Sequence, residues 1–219
     1  MDLEYLINHT KTAIKNAYDN FSSLPESVLE MEGMSGKKTR HLYNNICNID
    51  NKVYLEIGTW KGSSFISSMY SNRGVYGYCI DNWSQFNGPK DIFLNNIAKY
   101  LPAAEQNIKI INKDSWLITE NDITKPIDIY LYDGAHTYDD QKKAITYYHN
   151  YFSKYIIIMV DDWYCDHVDV KRGTLDGIKE MKLKVHFMHE TPLVQPDARN
   201  GTDPFWNGCG IFVCERTDI

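Results

Sequence analysis

The chain has 219 residues, of which 43% are hydrophobic and 24% charged, with a net charge of −6. That is the composition of a soluble globular protein long enough for one sizeable core. No lysine- or arginine-rich run marks a phosphate-backbone footprint, and no apolar window approaches the roughly eighteen residues of a membrane span, so neither a nucleic acid nor a membrane is an expected partner.

The five cysteines (Cys47, Cys79, Cys165, Cys209, Cys214) form no C-x-x-C pair and no zinc spacing, which suits reduced, buried thiols. Met1-Asp2-Leu3-Glu4 lacks the basic flank and apolar core of a signal peptide, and a cytoplasmic location is expected. The sixteen tyrosines are expected at solvent-facing helix and strand positions rather than lining a pocket.

Leu3, Leu6, Ile7, Ala13, Ile14, Ala17 and Phe21 recur at helical spacing over roughly the first twenty residues. Leu24-Pro25 ends that helix, and Pro25 can open a second, short one at Glu26–Glu32. The polar, glycine-bearing stretch Glu32–Arg40 then reads either as a connector or as a flap over a ligand, ahead of a helix carrying Leu42, Tyr43 and Ile46.

From Val53 the pattern changes. Val53–Ile57, Val75–Ile80, Ile108–Ile111, Ile127–Tyr132 and Tyr155–Val160 are short apolar runs, and Ser63–Tyr70, Lys90–Tyr100 and Tyr138–Phe152 between them have helical spacing. Strands apolar on both faces suit a parallel sheet covered by helices on both sides. A helix at about Val168–Met181 leads to an alternating strand from Leu183 to Met188 and a last strand, Gly210–Glu215, which implies an antiparallel hairpin at the sheet edge. The expected organisation is a helical extension or lid at 1–50 and an α/β domain at 51–219.

In Val53–Ser64 (V-Y-L-E-I-G-T-W-K-G-S-S) a strand runs into Gly58 and Gly62 and then into a helix. The glycine spacing fits neither the dinucleotide fingerprint nor the phosphate loop, and Glu56 would repel a phosphate. A carboxylate there suits a cationic ligand. Ligands of open parallel sheets bind at the carboxyl ends of the strands, and all five apolar strands end in or beside an acid: Glu56, Asp81, Asp114, Asp133 and Asp161-Asp162. Asp81, about 20 residues beyond the glycine turn, can accept both protons of a ribose diol, or alternatively cap the turn at Asn82-Trp83-Ser84. Asp114-Ser115 can hold an adenine edge or cap the next helix. Strands four and five, about 4.8 Å apart if adjacent, would bring Asp133, Asp161 and Asp162 onto one hard dication, or these acids are caps and turn formers. His136 can be a general base at that edge or a structural histidine.

Together these residues resemble class I S-adenosylmethionine-dependent methyltransferases: V-Y-L-E-I-G-T-W-K-G-S-S matches their first motif and Asp81 their second. I-D-I-Y-L-Y-D-G-A-H-T-Y-D-D with V-D-D-W is similar to the small-molecule O-methyltransferases around macrocin O-methyltransferase, methyltransferase family 24. The resemblance covers about residues 50 to 215. It implies a Rossmann-like α/β fold with a seven-stranded sheet of order 3-2-1-4-5-7-6, the last strand antiparallel, helices on both faces and an N-terminal helical extension.

It also implies that Glu56, Gly58, Thr59, Gly62 and Ser64 hold the methionine part of S-adenosylmethionine, Asp81 its ribose, and Asp114 and Ser115 its adenine region. Asp133, Asp161 and Asp162 fall where metal-dependent members hold Mg2+. Some sugar-methylating members carry a second acid two residues after the first metal Asp; Ala135 stands there in this chain and His136 is the nearest replacement, so that His136 and Asp133 are the candidate catalytic residues. The expected acceptor is a small molecule or sugar, the chain a candidate homo-oligomer, and Gly33–Arg40 and Pro192–Asn207 are candidates for cofactor lid and acceptor wall. Two other readings stay open: a hydroxylase-like or nitrogen-methylating relative on the same fold, and a cofactor-binding interaction module without turnover.

Overall fold

In the computed structural model, residues 2–102, 107–165, 169–193 and 204–219 are described. Three helices, α1 (Leu3–Tyr18), α2 (Glu26–Leu29) and α3 (Lys37–Ile46), precede the sheet. Then come β1 (Lys52–Ile57), α4 (Ser63–Met69), β2 (Val75–Asp81), α5 (Lys90–Tyr100), β3 (Asn107–Asn112), β4 (Ile127–Tyr132), α6 (Tyr138–Tyr148), β5 (Phe152–Val160), α7 (Val170–Glu180), β6 (Lys184–Glu190) and β7 (Gly210–Glu215). The strands form one sheet in the order β3-β2-β1-β4-β5-β7-β6, with β7 antiparallel to both neighbours.

Strand alternation builds two cores. Tyr54, Cys79, Leu131, Met159 and Val213 face α1, α3, α4 and Phe93 of α5. Leu55, Tyr78, Tyr130, Ile158 and Phe212 face Ile145 of α6 and Ile178 of α7. The first fifty residues therefore share a core with one face of the sheet.

α3 is wedged there with Thr39 to Ile46 all buried. Its Asn44 Nδ2 donates to the carbonyls of Ser67 and Tyr70 at 2.9 Å each, satisfying the carbonyl end of the serine-rich α4. Within α4, Ser67 and Ser68 hydroxyls bond back four residues to the carbonyls of Ser63 and Ser64, which lets four serines sit in one buried helix.

The Glu32–Arg40 stretch is helical from Lys37 on. Arg40 is 3% exposed, and its Nη1 donates to the carbonyls of Val28, Leu29 and Met31 at 2.9, 3.1 and 2.8 Å, closing the end of α2. The tyrosines correct the sequence expectation. Tyr43, Tyr54, Tyr78, Tyr130, Tyr132 and Tyr148 are fully buried, because their rings fill both cores while most of their hydroxyls reach carbonyl, hydroxyl or carboxyl oxygens. No described helix is long and apolar enough to cross a membrane.

Candidate active site

The carboxyl ends of β2, β1, β4 and β5 are held level by single hydrogen bonds that extend the ladder one residue past the strands. Gly58 N–H donates to Ile80 O at 2.9 Å, Asp133 N–H to Ile57 O at 3.0 Å, and Asp161 N–H to Tyr132 O at 3.1 Å. Alternation then puts Glu56, Asp81, Asp133 and Asp161 on the face covered by α1–α4, in sequence with Tyr54, Cys79, Leu131 and Met159. Gly58 has φ +86°, and a Cβ on it would lie 1.9 Å from Asp133 O, so a side chain is impossible at this crossing. The close approach of β1 and β4 ends depends on that glycine.

Glu56 is 0% exposed. Tyr54 OH donates to its Oε2 at 2.5 Å and Ser64 Oγ to its Oε1 at 2.6 Å. Burial nonetheless pushes its carboxyl up to about 8, with Asp81 adding repulsion. In the turn after β1, Thr59 Oγ1 is buried with no hydrogen-bond partner. Gly62 starts α4 at φ +91°, and a Cβ there would press on the Phe93 ring at 2.9 Å.

The turn and cap roles of two expected cofactor ligands are present. Asp81 accepts Trp60 N–H at 2.8 Å on Oδ2 and Trp83 N–H at 2.6 Å on Oδ1. Each oxygen retains a lone pair for a further donor. Asp114 accepts Trp116 N–H at 2.8 Å and caps the 3-10 turn Ser115–Leu117, while Ser115 O accepts Tyr148 OH at 2.6 Å. The Trp116 ring stacks over Tyr132 at 6.3 Å.

At the ends of β4 and β5, one atom each from Asp133, His136 and Asp162 lie within 4.8 Å of one another. His136 Nε2 is buried and stands 2.9 Å from Asp162 Oδ2, an ion-pair contact that falls short of ideal hydrogen-bond direction. Asn207 Nδ2 donates to Asp162 Oδ1 at 2.5 Å. A left-handed φ of +52° at Asp162 turns the chain out of the strand direction and sends its carboxylate toward His136. Asp161 goes the other way. It is 3% exposed, outside the group of three, and faces Tyr43 and Cys209. Of the three expected metal ligands, Asp133 and Asp162 thus come together with His136.

Burial, then Asp161 and Asp162, push the Asp133 carboxyl well above the usual range. Burial and Asp162 do the same to Asp161. Burial also pushes Asp162 up, but His136 and Asn207 outweigh it and hold Asp162 low. The Asp162 carboxylate raises His136 against burial. Among the described residues no lysine or arginine ion-pairs with Glu56, Asp81, Asp133, Asp161 or Asp162.

Sequence reasoning missed Tyr43, whose buried hydroxyl has no partner, and Asn207. Tyr43 reads as one more core position of α3, and only its place opposite Asp161 distinguishes it. Of the expected acceptor wall Pro192–Asn207, residues 194–203 lie outside the described residues. Two clefts of about 530 and 710 Å³ open at the opposite, amino ends of the strands, around Asp50–Lys52 and around Thr124–Pro126.

The methyltransferase domain family matches residues 55–163, the segment from β1 to just past the Asp161-Asp162 pair. No curated protein matches the chain. Among solved structures it is similar to a Staphylococcus aureus protein described as a candidate caffeoyl-CoA O-methyltransferase, at 18% identity and TM-score 0.59, covering 94% of this chain and 98% of that one. A precorrin-6y C5,15-methyltransferase from Geobacter metallireducens is similar at 12% identity and TM-score 0.56, covering 90% and 94%. A precorrin 8w decarboxylase from Methanobacterium thermoautotrophicum gives 14% and 0.56, covering 90% and 97%. At these identities the structural likeness speaks for the fold.

Proposed function

We propose, from the match of residues 55–163 to a methyltransferase domain family, that the chain is an S-adenosylmethionine-dependent methyltransferase that methylates an oxygen of a small molecule or sugar with the help of a divalent cation. One observation carries this reading. Glu56, Asp133, Asp161 and Asp162 converge on one sheet edge, three of them with raised carboxyls and none with a lysine or arginine partner among the described residues. A cluster of that kind is completed by cationic ligands, and a sulfonium with its ammonium and a dication both qualify.

In this reading residues 51–219 are the catalytic domain and residues 1–50 a helical extension that closes the donor side. Glu56, with Ser64 fixing one of its oxygens, would face the cationic amino-acid part of the donor, and Thr59 Oγ1 in the following turn is an unpartnered polar atom that could serve the same part. Asp81 would take the ribose on its remaining lone pairs, and Asp114 and Ser115 would border the adenine. The donor supplies an electrophilic methyl group on sulfur, and transfer is an in-line displacement that depends on positioning. A dication at Asp133 and Asp162 would lower the pKa of an acceptor hydroxyl. That help is greatest for a hydroxyl, whose proton is held far above neutral pH, and smaller for an amine, which frees its lone pair by losing an ammonium proton nearer neutrality. This difference, with the resemblance to O-methylating enzymes, favours an oxygen acceptor.

The test is calorimetry with S-adenosylhomocysteine. One equivalent should bind the wild-type chain, and Asp81→Ala should weaken that binding about tenfold or more. A wild-type chain that binds none overturns the donor assignment.

A further inference from the structure

We propose that Trp60 is a further donor-binding residue, whose indole N–H donates to the nucleoside half of the bound donor. The proposal rests on the reading of the carboxyl edge as a donor site and goes beyond it by giving a side chain of the glycine turn its own hydrogen bond to the ligand.

Trp60 stands between Gly58 and Gly62, and its main chain is pinned on both sides. Its N–H donates to Asp81 Oδ2 at 2.8 Å, and its carbonyl accepts Trp83 Nε1 at 2.9 Å. Both partners belong to the end of β2 and the loop after it. The backbone is nonetheless left-handed, at φ +43°, where a bulky side chain is disfavoured. The ring has a neighbour on either hand: Lys61 Nζ lies 4.5 Å from its centroid, and the Phe86 ring meets it at 6.2 Å and 73°. The residue is half-buried, yet its Nε1 is fully buried without a partner, so the N–H edge of the ring is the inner one.

Two independent costs therefore coincide at one residue of the donor turn, a strained backbone and a buried donor left unpaired. The neighbours of the ring relieve neither. Lys61 carries only donors, and the Phe86 side chain has no lone pair. A ligand acceptor beside Asp81 relieves the second.

The hydrogen bonds also say which half of the donor lies within reach. Glu56, on the amino-acid side, is held by Tyr54 and Ser64, whereas Trp60 is held by Asp81 and by Trp83. The indole thus belongs to the Asp81 side, where the ribose is read to lie. A ribose hydroxyl is donor and acceptor at once. One that gives its proton to Asp81 keeps lone pairs for Trp60 Nε1, so the acid and the indole complement each other on the same group.

The experiment follows the indole N–H signals of the ¹⁵N-labelled full chain by NMR, assigned through the backbone, while S-adenosylhomocysteine, adenosine or L-homocysteine is added. Calorimetry with S-adenosylhomocysteine compares wild type with Trp60→Phe, which keeps an aromatic ring and removes the N–H. Expected are a downfield shift and slower solvent exchange of the Trp60 indole N–H with S-adenosylhomocysteine, the same shift with adenosine and none with L-homocysteine, and about a five- to tenfold loss of affinity in Trp60→Phe. The spectroscopic readout needs no variant to fold, and a merely structural Trp60 would not move it. If S-adenosylhomocysteine binds and the Trp60 signal stays in place, or if L-homocysteine alone moves it, this proposal is overturned while the donor site stands. Equal affinity in wild type and Trp60→Phe overturns it as well. A wild-type chain that binds no S-adenosylhomocysteine removes the donor site and this hydrogen bond together.

Discussion

The two edges of the sheet use the same residue types in opposite ways. At the amino edge Lys52 Nζ meets Asp128 Oδ1 at 2.8 Å, both side chains 13% exposed, and Asp128 Oδ2 accepts Val53 N–H at 3.0 Å. Arg216 there grips both oxygens of Asp218 at 3.1 and 2.9 Å and donates to Phe152 O at 2.8 Å. At the carboxyl edge acids face acids, and Thr59 Oγ1, Tyr43 OH and Asp161 Oδ1 are buried without partners. Charges that are neutralised in pairs hold a fold together. Charges left to repel one another cost stability and persist where a ligand completes them.

The largest effect should come from removing a carboxylate that both serves the ion and repels its neighbours. Asp133→Asn is expected to weaken divalent-cation binding by about a thousandfold, roughly 4 kcal/mol. The metal-free protein should at the same time melt no lower, and up to about 4 °C higher, because one of the mutually repelling carboxyls is gone. A variant that loses stability together with metal affinity would make Asp133 a structural residue like Asp128.

Glu56 gives the next largest effect, through pH. Its carboxyl is pushed from 4.5 in the unfolded chain to about 8 in the folded one, so the folded state binds the proton more tightly. Stability of the empty protein should therefore fall as pH rises from 4.5 to 8, by roughly 3–4 kcal/mol for this group, and level off above. Asp133 and Asp161 add to the fall in the same direction. Chemical denaturation at pH 5, 6.5 and 8 should show a shallower slope for Glu56→Gln than for wild type. An unchanged slope would mean that Glu56 is ionised in the empty site.

Lys52→Ala tests the other edge. It leaves Asp128 mostly buried without its cation and should cost about 2–3 kcal/mol, seen as a lower melting temperature. S-adenosylhomocysteine and metal affinities should not move. A change in either would show that the two edges are coupled through β1.

The contrast between the edges also marks what the sequence could convey. Strand and helix positions were legible from apolar runs and helical spacing, and the level strand ends follow from five strands each delivering an acid. Which acids meet was not legible. A period of two predicts a side chain's face only while the strand lasts, and at Asp162 a φ of +52° overrules it. That reversal groups Asp162 with His136 and leaves Asp161 with Tyr43. In the same way Asp81 and Asp114 have both of the roles the sequence left open in reach, because a carboxylate that caps a turn keeps lone pairs for a ligand.

The smallest predicted effect isolates the extension's own contribution to the edge. Tyr43 is fully buried on α3, and its hydroxyl faces Asp161 and Cys209 without reaching full hydrogen-bond geometry. A buried hydroxyl with no partner costs about 1 kcal/mol or more, while the ring itself packs in the core. Tyr43→Phe keeps the ring and removes the cost. The empty protein should gain about 1 kcal/mol, a rise of about 2–4 °C in melting temperature. If the hydroxyl serves the bound state, S-adenosylhomocysteine or metal affinity should fall by about three- to tenfold in the same variant. A loss of stability would instead show the hydroxyl already bonded to Asp161 in solution, and would move Tyr43 to the paired, stabilising class of the opposite edge.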